Sequence, residues 1–156
     1  MNIAIAGDHA GYELKQAIIP YLTKLGHSVT DLGTNSAETP TDYPDFAQKI
    51  AFAVLGGQAE RGILVCGSGI GVAVAANKIK GIYAGTCHDT YSAHQSVEHD
   101  NANVLCIGAR IVGIELAREI TKAFVGAQFT NEERHVRRIA KTKAIEEAGH
   151  VINDLR

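Results

Sequence analysis

Residues Gly62-Ile63-Leu64-Val65-Cys66 make an apolar, β-prone run that passes without a break into the glycine-rich loop Gly67-Ser68-Gly69-Ile70-Gly71. Residues Val72 to Asn77 continue with helical character, so the loop opens a helix. A strand this uniformly apolar is buried on both faces, which is the environment of a parallel sheet covered by helices. Backbone N–H groups at the helix start have no intrahelical partner and carry partial positive charge, which suits an anion. The same field favours a thiolate over a thiol, so the pKa of Cys66 is expected to be lowered. One segment thus couples an α/β architecture to a nucleophile or base beside an anion cradle.

The rest of the chain repeats the unit. Further β-prone runs cover Asn2 to Ala6, Ser28 to Leu32, Gly81 to Cys87 and Asn103 to Ile107. Between them lie segments with apolar residues three and four apart. Gly11 to Leu25 carries Leu14, Ala17, Ile18, Tyr21, Leu22 and Leu25, and Phe46, Ile50, Ala53 and Val54 mark a second helix. Tyr91 to Glu98, Ile111 to Val125 and the polar stretch Asn131 to Ala148 are the remaining helical segments. Thr130 or Asn131 is placed to cap the last one, with Glu132 and Glu133 in its first turn. Strands alternating with helices predict a three-layer α/β/α sandwich around a five-stranded parallel sheet, Rossmann-like, as one domain spanning 1–156. The longest irregular stretch, Gly33 to Pro44, is expected to border a site.

Composition narrows the function. A net charge of −2 gives no global pull toward nucleic acid or an anionic membrane, and no apolar run has the length of a membrane span. The start of the chain reads as a first strand rather than a signal peptide. Cys66, Cys87 and Cys106 are an odd set without CxxC spacing, which points to reduced thiols in a cytoplasmic protein.

In open parallel sheets ligands bind beyond the carboxyl ends of the strands, so the residues there bear the chemistry. They are Gly7-Asp8-His9, Gly33-Thr34, Cys66 to Gly71, His88-Asp89 and Gly108-Ala109-Arg110. The glycine loop lacks the Lys-Ser/Thr pair of a P-loop. It also lacks the GxGxxG spacing of a dinucleotide site, although Asp89 lies at about the right distance, roughly 20 residues on. A tight turn without a ligand stays open as well. Cys66 is equally readable as inert or catalytic, while Cys87 and Cys106 read as core. Asp8 is either a cap or a site residue. His99-Asp100, placed after a short helix, admits a plain turn. His88, His94 and His99 with Asp89 and Asp100 match no metal-ligand spacing, so no metal is expected. Arg134 and Arg138, four apart on one face, read locally as a solvated pair; two guanidiniums there also suit a phosphate.

Taken together in order, these pieces resemble the B-type ribose-5-phosphate isomerases, in the group that also holds galactose-6-phosphate isomerase subunits. The resemblance runs through Gly7-Asp8-His9-Ala10-Gly11, Thr41-Asp42-Tyr43-Pro44, Cys66 to Gly71, Ala75-Ala76-Asn77-Lys78, His99 to Leu105, Gly108-Ala109-Arg110 and Arg134 with Arg138. It implies an aldose–ketose isomerase acting on ribose 5-phosphate and ribulose 5-phosphate without a cofactor or metal. Cys66 would be the base and His99 the proton donor that opens the furanose ring. Some family members place a glutamate in the following helix as base, and Val72 to Ala76 contains no acid. Asp8 and His9 would contact the sugar, Gly67, Ser68, Gly69, Ile70 and Gly71 its oxygens, and Asp100, Arg110, Arg134 and Arg138 the rest of the substrate, the arginines at the phosphate. The resemblance also implies a homodimer, or a tetramer built from dimers, with sites between subunits. Ser68 stands where many members have threonine, and Asp100 where asparagine is common; both bear on sugar preference. The competing readings are an isomerase of a hexose 6-phosphate such as allose or galactose 6-phosphate, and a non-catalytic phosphosugar- or nucleotide-binding module.

Overall fold

The computed structural model describes residues 1–148. The end of the expected domain, 149–156, lies outside the described residues. Five parallel strands and six helices alternate in the order β1 (Asn2–Gly7), α1 (Tyr12–Lys24), β2 (Ser28–Asp31), α2 (Tyr43–Leu55), β3 (Arg61–Cys66), α3 (Ile70–Ala76), β4 (Ala84–Thr86), α4 (Thr90–Asp100), β5 (Val104–Gly108), α5 (Ile114–Gly126) and α6 (Glu133–Ala148). The sheet order is β2-β1-β3-β5-β4. The α/β/α sandwich read from the sequence is thereby observed.

Side-chain alternation divides the core. Ile3, Ile5, Ile63, Val65, Leu105 and Ile107 face α1, α4 and α5, whose Leu14, Ile18, Leu22, Val97, Ile120 and Phe124 close over them. Ala4, Ala6, Leu64, Cys66 and Cys106 face α2 and α3, which contribute Phe46, Ile50, Val72 and Ala76. Small alanines on this second face let α2 lie close to β1. The sixth helix belongs to neither layer; it packs on α4.

The chain leaves β1 toward β2 on one side and reaches β3 on the other, so the sheet reverses direction between β1 and β3. Crevices outside the carboxyl ends of strands form at such reversals. Tight backbone approach shapes this one. A Cβ on Gly11 would overlap the Val65 carbonyl, and one on Gly33 would press on Gly7 N at 2.6 Å. Across the crevice, the fully buried Lys15 anchors the Gly33–Pro44 loop: its Nζ lies 2.5 Å from Asp31 Oδ2 and 3.0 Å from Thr34 O.

Three local expectations are corrected. The fourth strand is only Ala84–Thr86, not Gly81 to Cys87. Gly81 turns at φ +87°, and the Asn103 and Asn77 side chains take the amides of Tyr83 and Ala84. Asn77 Nδ2 also donates to Ala84 O, so a side-chain amide covers the outer edge of the strand. His99 and Asp100 do not follow a helix; they are the last turn of α4, and Asn101, at φ +52°, is its left-handed cap. The last helix starts at Glu133, which leaves Glu132 ahead of it; Asn131 sits at φ +54° and the Thr130 hydroxyl bonds Glu98 O. Among the described residues no helix is long and apolar enough to cross a membrane.

Candidate active site

At the reversal between β1 and β3 lies a cleft of about 390 Å³. Cys66 forms part of its wall at the last position of β3, where the pleat turns the sulfur toward α3. Gly69, at φ +79°, bends the loop back so that its N–H donates to Cys66 Sγ at 3.1 Å. The Ile70 amide donates to Ser68 Oγ at 3.3 Å. The Gly69 and Ile70 amides are therefore bonded inside the loop. Among the described residues the amides of Gly67, Ser68 and Gly71 take no partner, and all three residues line the cleft. Of the residues Gly67 to Gly71 expected to meet the sugar oxygens, Gly67, Ser68 and Gly71 line the cleft, while Ile70 is exposed and outside the lining.

The first strand delivers Asp8 and His9. Asp8 Oδ1 accepts from Gly11 N at 3.0 Å, closing the turn ahead of α1, whose N-cap is Gly11 itself, and Asp8 also lines the cleft. His9 is held twice by one residue: its own N–H donates to Thr41 Oγ1 at 3.2 Å, and its Nδ1 accepts from Thr41 N at 3.3 Å. A neutral ring whose Nδ1 accepts must carry its proton on Nε2, which makes His9 a donor toward the cleft. After β5, the Arg110 amide bonds Gly67 O at 3.0 Å and its guanidinium lies over Gly67, 3.4 Å from where a Cβ would sit.

Tyr43 is a wall residue that sequence reasoning quoted in a motif without assigning it to the site. Its ring faces Gly71 so closely that a Cβ there would stand 2.9 Å from Tyr43 Cζ. The available signal was the Asp42-Tyr43-Pro44 helix start directly after the long loop. Thr41 was likewise unassigned, and only its contact with His9 reveals it.

The other expected residues are not in this cleft. A helix that follows β4 and leads into β5 must run back to the opposite edge of the sheet. His99 is nine steps along α4 from Thr90, and at 1.5 Å per step the helix carries it about 13 Å away from its start at the edge that holds Cys66. There the His99 ring stacks on His135, and Asp100 and Arg138 line a separate cavity of about 340 Å³. Arg134 is exposed and paired with Glu132 at 2.9 Å. One chain therefore brings Asp8, His9, Cys66, Gly67, Ser68, Gly71 and Arg110 together, and gathers His99, Asp100, Arg134 and Arg138 elsewhere.

The remaining thiols behave as core. Burial pushes the Cys87 thiol up to about 11 and Cys106 well above its ordinary value. His88 Nε2 accepts from Gly108 N at 3.0 Å, and Asp89 caps α4 through Ser92 N at 2.7 Å. Among the described residues no three His, Cys or carboxylate side chains converge to hold a metal ion.

The model of a family described as ribose/galactose isomerase matches residues 3–142. Ribose-5-phosphate isomerase B of Escherichia coli is 46% identical over 146 residues, covering 94% of this chain and 97% of that protein. A D-erythrulose-4-phosphate isomerase of Mycolicibacterium smegmatis is 46% identical over 131 residues, covering 83% and 86%. The solved structure of Clostridium thermocellum ribose-5-phosphate isomerase B superposes with a TM-score of 0.91 at 44% identity, covering 95% of this chain and 99% of that one.

Proposed function

The chain belongs to the ribose/galactose isomerase family, and on that premise we propose that it interconverts D-ribose 5-phosphate and D-ribulose 5-phosphate through a cis-enediolate. The observation that carries the reading is the meeting of the Cys66 sulfur, three unpartnered amides and the Arg110 guanidinium in one cleft. The near-full-length relative that acts on ribose 5-phosphate supports the substrate.

In this mechanism the Cys66 thiolate takes the proton from C2 of the opened aldose. The C2–H electrons form the C1=C2 bond, and the carbonyl oxygen O1 becomes negative. The O2 hydroxyl proton passes to O1, which leaves the negative charge on O2. The Cys66 thiol then gives its proton to C1, the C1=C2 electrons form the new C–H bond, O2 becomes the ketone oxygen and the thiolate is restored. The amides of Gly67, Ser68 and Gly71 supply donors for the oxygen that gains charge, fixed before the reaction begins. His9 Nε2–H and the remaining Asp8 oxygen hold the sugar hydroxyls. Hydrogen-bonded general-base catalysis of this kind contributes about 10²–10⁴-fold in rate.

Ring opening needs a proton at the furanose oxygen, and the phosphate needs cations; His99, Arg134 and Arg138 have the chemistry for both. Their place at the other edge of the sheet supports a homodimer in which Cys66 of one chain works with His99 of the partner subunit. Asp100, as a carboxylate beside this group, disfavours a second anion and bears on which sugar fits.

The test is ribulose 5-phosphate formation by EDTA-treated wild type beside Cys66→Ala. Turnover by the wild type and a fall of about 10²-fold or more in the variant support the assignment. Silence of the wild type on ribose 5-phosphate overturns the substrate, with a tetrulose 4-phosphate or hexose 6-phosphate tried next. An active variant removes Cys66 as base.

A further inference from the structure

The corner where α4 meets α6 holds a second histidine that the mechanism above does not use. His135 is 1% exposed and is the one described residue of α6 that is buried. Its ring stacks on His99 with centroids 4.2 Å apart and planes inclined by 28°. Its Nδ1 lies 2.6 Å from Thr130 Oγ1. The Thr130 hydroxyl also lies 3.1 Å from Glu98 O. With its single proton directed there, the contact with His135 runs from Nδ1–H to the Thr130 oxygen, and this Nδ1–H tautomer belongs to the proposal and is tested below. The other ring nitrogen of His135 is Nε2. That atom is buried and has no partner among the described residues. Buried polar atoms without partners are rare because each one is costly. On its own helix, His99 has Gln95 Nε2 at 3.0 Å from Nδ1.

We propose that His135 is a positioning residue for His99: the stacked ring, anchored through Thr130 to the backbone of α4, fixes the plane of the His99 imidazole and leaves Nε2 as the His99 nitrogen free to deliver a proton. The inference rests on the reading of His99 as the ring-opening donor and deepens it. Burial first, then the charges of His99, Arg134 and Arg138, push the His135 pKa below the ordinary histidine value, against the pull of Glu132. The shift favours the uncharged form of His135. The other charged groups at this corner are Glu98, paired with His94 at 3.1 Å on α4, and Asp100 at the end of that helix.

Two substitutions in the full-length protein separate the ring from the hydrogen bond. His135→Asn keeps a donor for Thr130 and removes the stacked surface. Its kcat on ribose 5-phosphate is expected to fall roughly ten- to a hundredfold with little change in KM, because orientation rather than binding is lost. His135→Phe keeps the stacked surface and is expected to recover most of that loss. Nitrogen-15 shifts of the imidazoles in the wild type are expected to report His135 as the Nδ1–H tautomer. Wild-type turnover in His135→Asn, equal losses in both variants, or an Nε2–H tautomer would each overturn the proposal. If His135→Asn does not fold, Thr130→Val carries the test: a mixed tautomer with reduced kcat supports the proposal, and an unchanged kcat overturns it. His99→Asn, run in parallel, keeps the two readings apart. Full turnover in His99→Asn defeats the donor assignment itself, whereas an inactive His99→Asn beside a wild-type-like His135→Asn defeats only the positioning role.

Discussion

The cleft at the end of β3 and the corner between α4 and α6 are built by different means. The cleft is backbone architecture. Gly11, Gly33 and Gly69 let main chains approach closely, and loop amides and strand ends place Cys66, Asp8 and His9. The corner is side-chain architecture: one buried histidine, a stacked ring and exposed arginines on a helix that sits outside both core layers. The first is fixed by the sheet and tolerates little change. The second is fixed by a few contacts and presents its arginines at the surface, where a second copy of the chain is the proposed recipient. The difference teaches that the groups proposed for the proton transfer at carbon and those proposed for the phosphate and ring opening occupy separate parts of one chain.

The largest expected effect tests that separation directly. Cys66→Ala and His99→Asn are each expected to lower turnover by about 10²–10⁴-fold. Co-expressed, the two variants form mixed dimers in which one site has both residues intact. Random pairing gives about a quarter of wild-type activity if each site draws one half from each chain. Activity that stays at the level of the single variants breaks the comparison.

Next come the glycines of the cleft. Gly69→Ala places a Cβ at φ +79° and 3.0 Å from Gly108 N and Ile107 C. The left-handed conformation alone costs about 1–2 kcal/mol, and the displaced loop withdraws the amide from Cys66. Both melting temperature and kcat are expected to fall. Gly57→Ala provides the control, since Gly57 has φ +72° with nothing within 4 Å of the added atom. It is expected to lose a similar stability increment with kcat intact. Equal kcat in both variants would mean that the loop geometry does not serve catalysis.

A smaller effect is expected at the corner. Arg138→Ala removes the proposed charged donor to the phosphate; a hydrogen bond to a charged group is worth about 1.5–3 kcal/mol, so KM for ribose 5-phosphate is expected to rise roughly ten- to a hundredfold with kcat nearly unchanged. Isothermal titration with phosphorylated and unphosphorylated ribose checks the cause. If Arg138→Ala weakens both sugars equally, the arginine does not read the phosphate.

The cleft was largely legible in the sequence because strand-end residues of a parallel sheet share an edge whatever the details of packing. Asp8, His9, Cys66 and Arg110 follow from that rule. The spending of the Gly69 and Ile70 amides within the loop was not legible, since it depends on the left-handed turn at Gly69 and on the rotamer of Ser68. Tyr43 and Thr41 were hidden for another reason: they arrive through the long loop, which the buried Lys15 anchors through Asp31 and Thr34 O, and a lysine in a helix reads as exposed. His135 was missed because a polar helix with five basic residues gives no periodic signal for a single buried ring. His99 and Asp100 were recognised by resemblance, yet their distance from Cys66 follows only from the direction of α4.

The smallest effect is a pH dependence that compares a half-buried histidine with a buried one. His27, pushed down by burial and then by the N-terminal charge against Glu60, and His135 both have folded pKa values below the unfolded one. For a histidine with a lowered folded pKa, the unfolded chain binds more protons, so stability rises with pH. The stabilisation is complete above the unfolded value of about 6.5 and is lost progressively as pH falls through it toward the folded pKa. Urea midpoints are therefore expected to drop between pH 7.5 and pH 5.5, a window above the ordinary carboxylate range. His27→Asn and His135→Phe should each flatten part of that slope. Only His135→Phe removes a group that touches His99, so only it should also alter the acid limb of kcat. A change of the same size from His27→Asn would assign the acid limb to global unfolding instead of to the corner between α4 and α6.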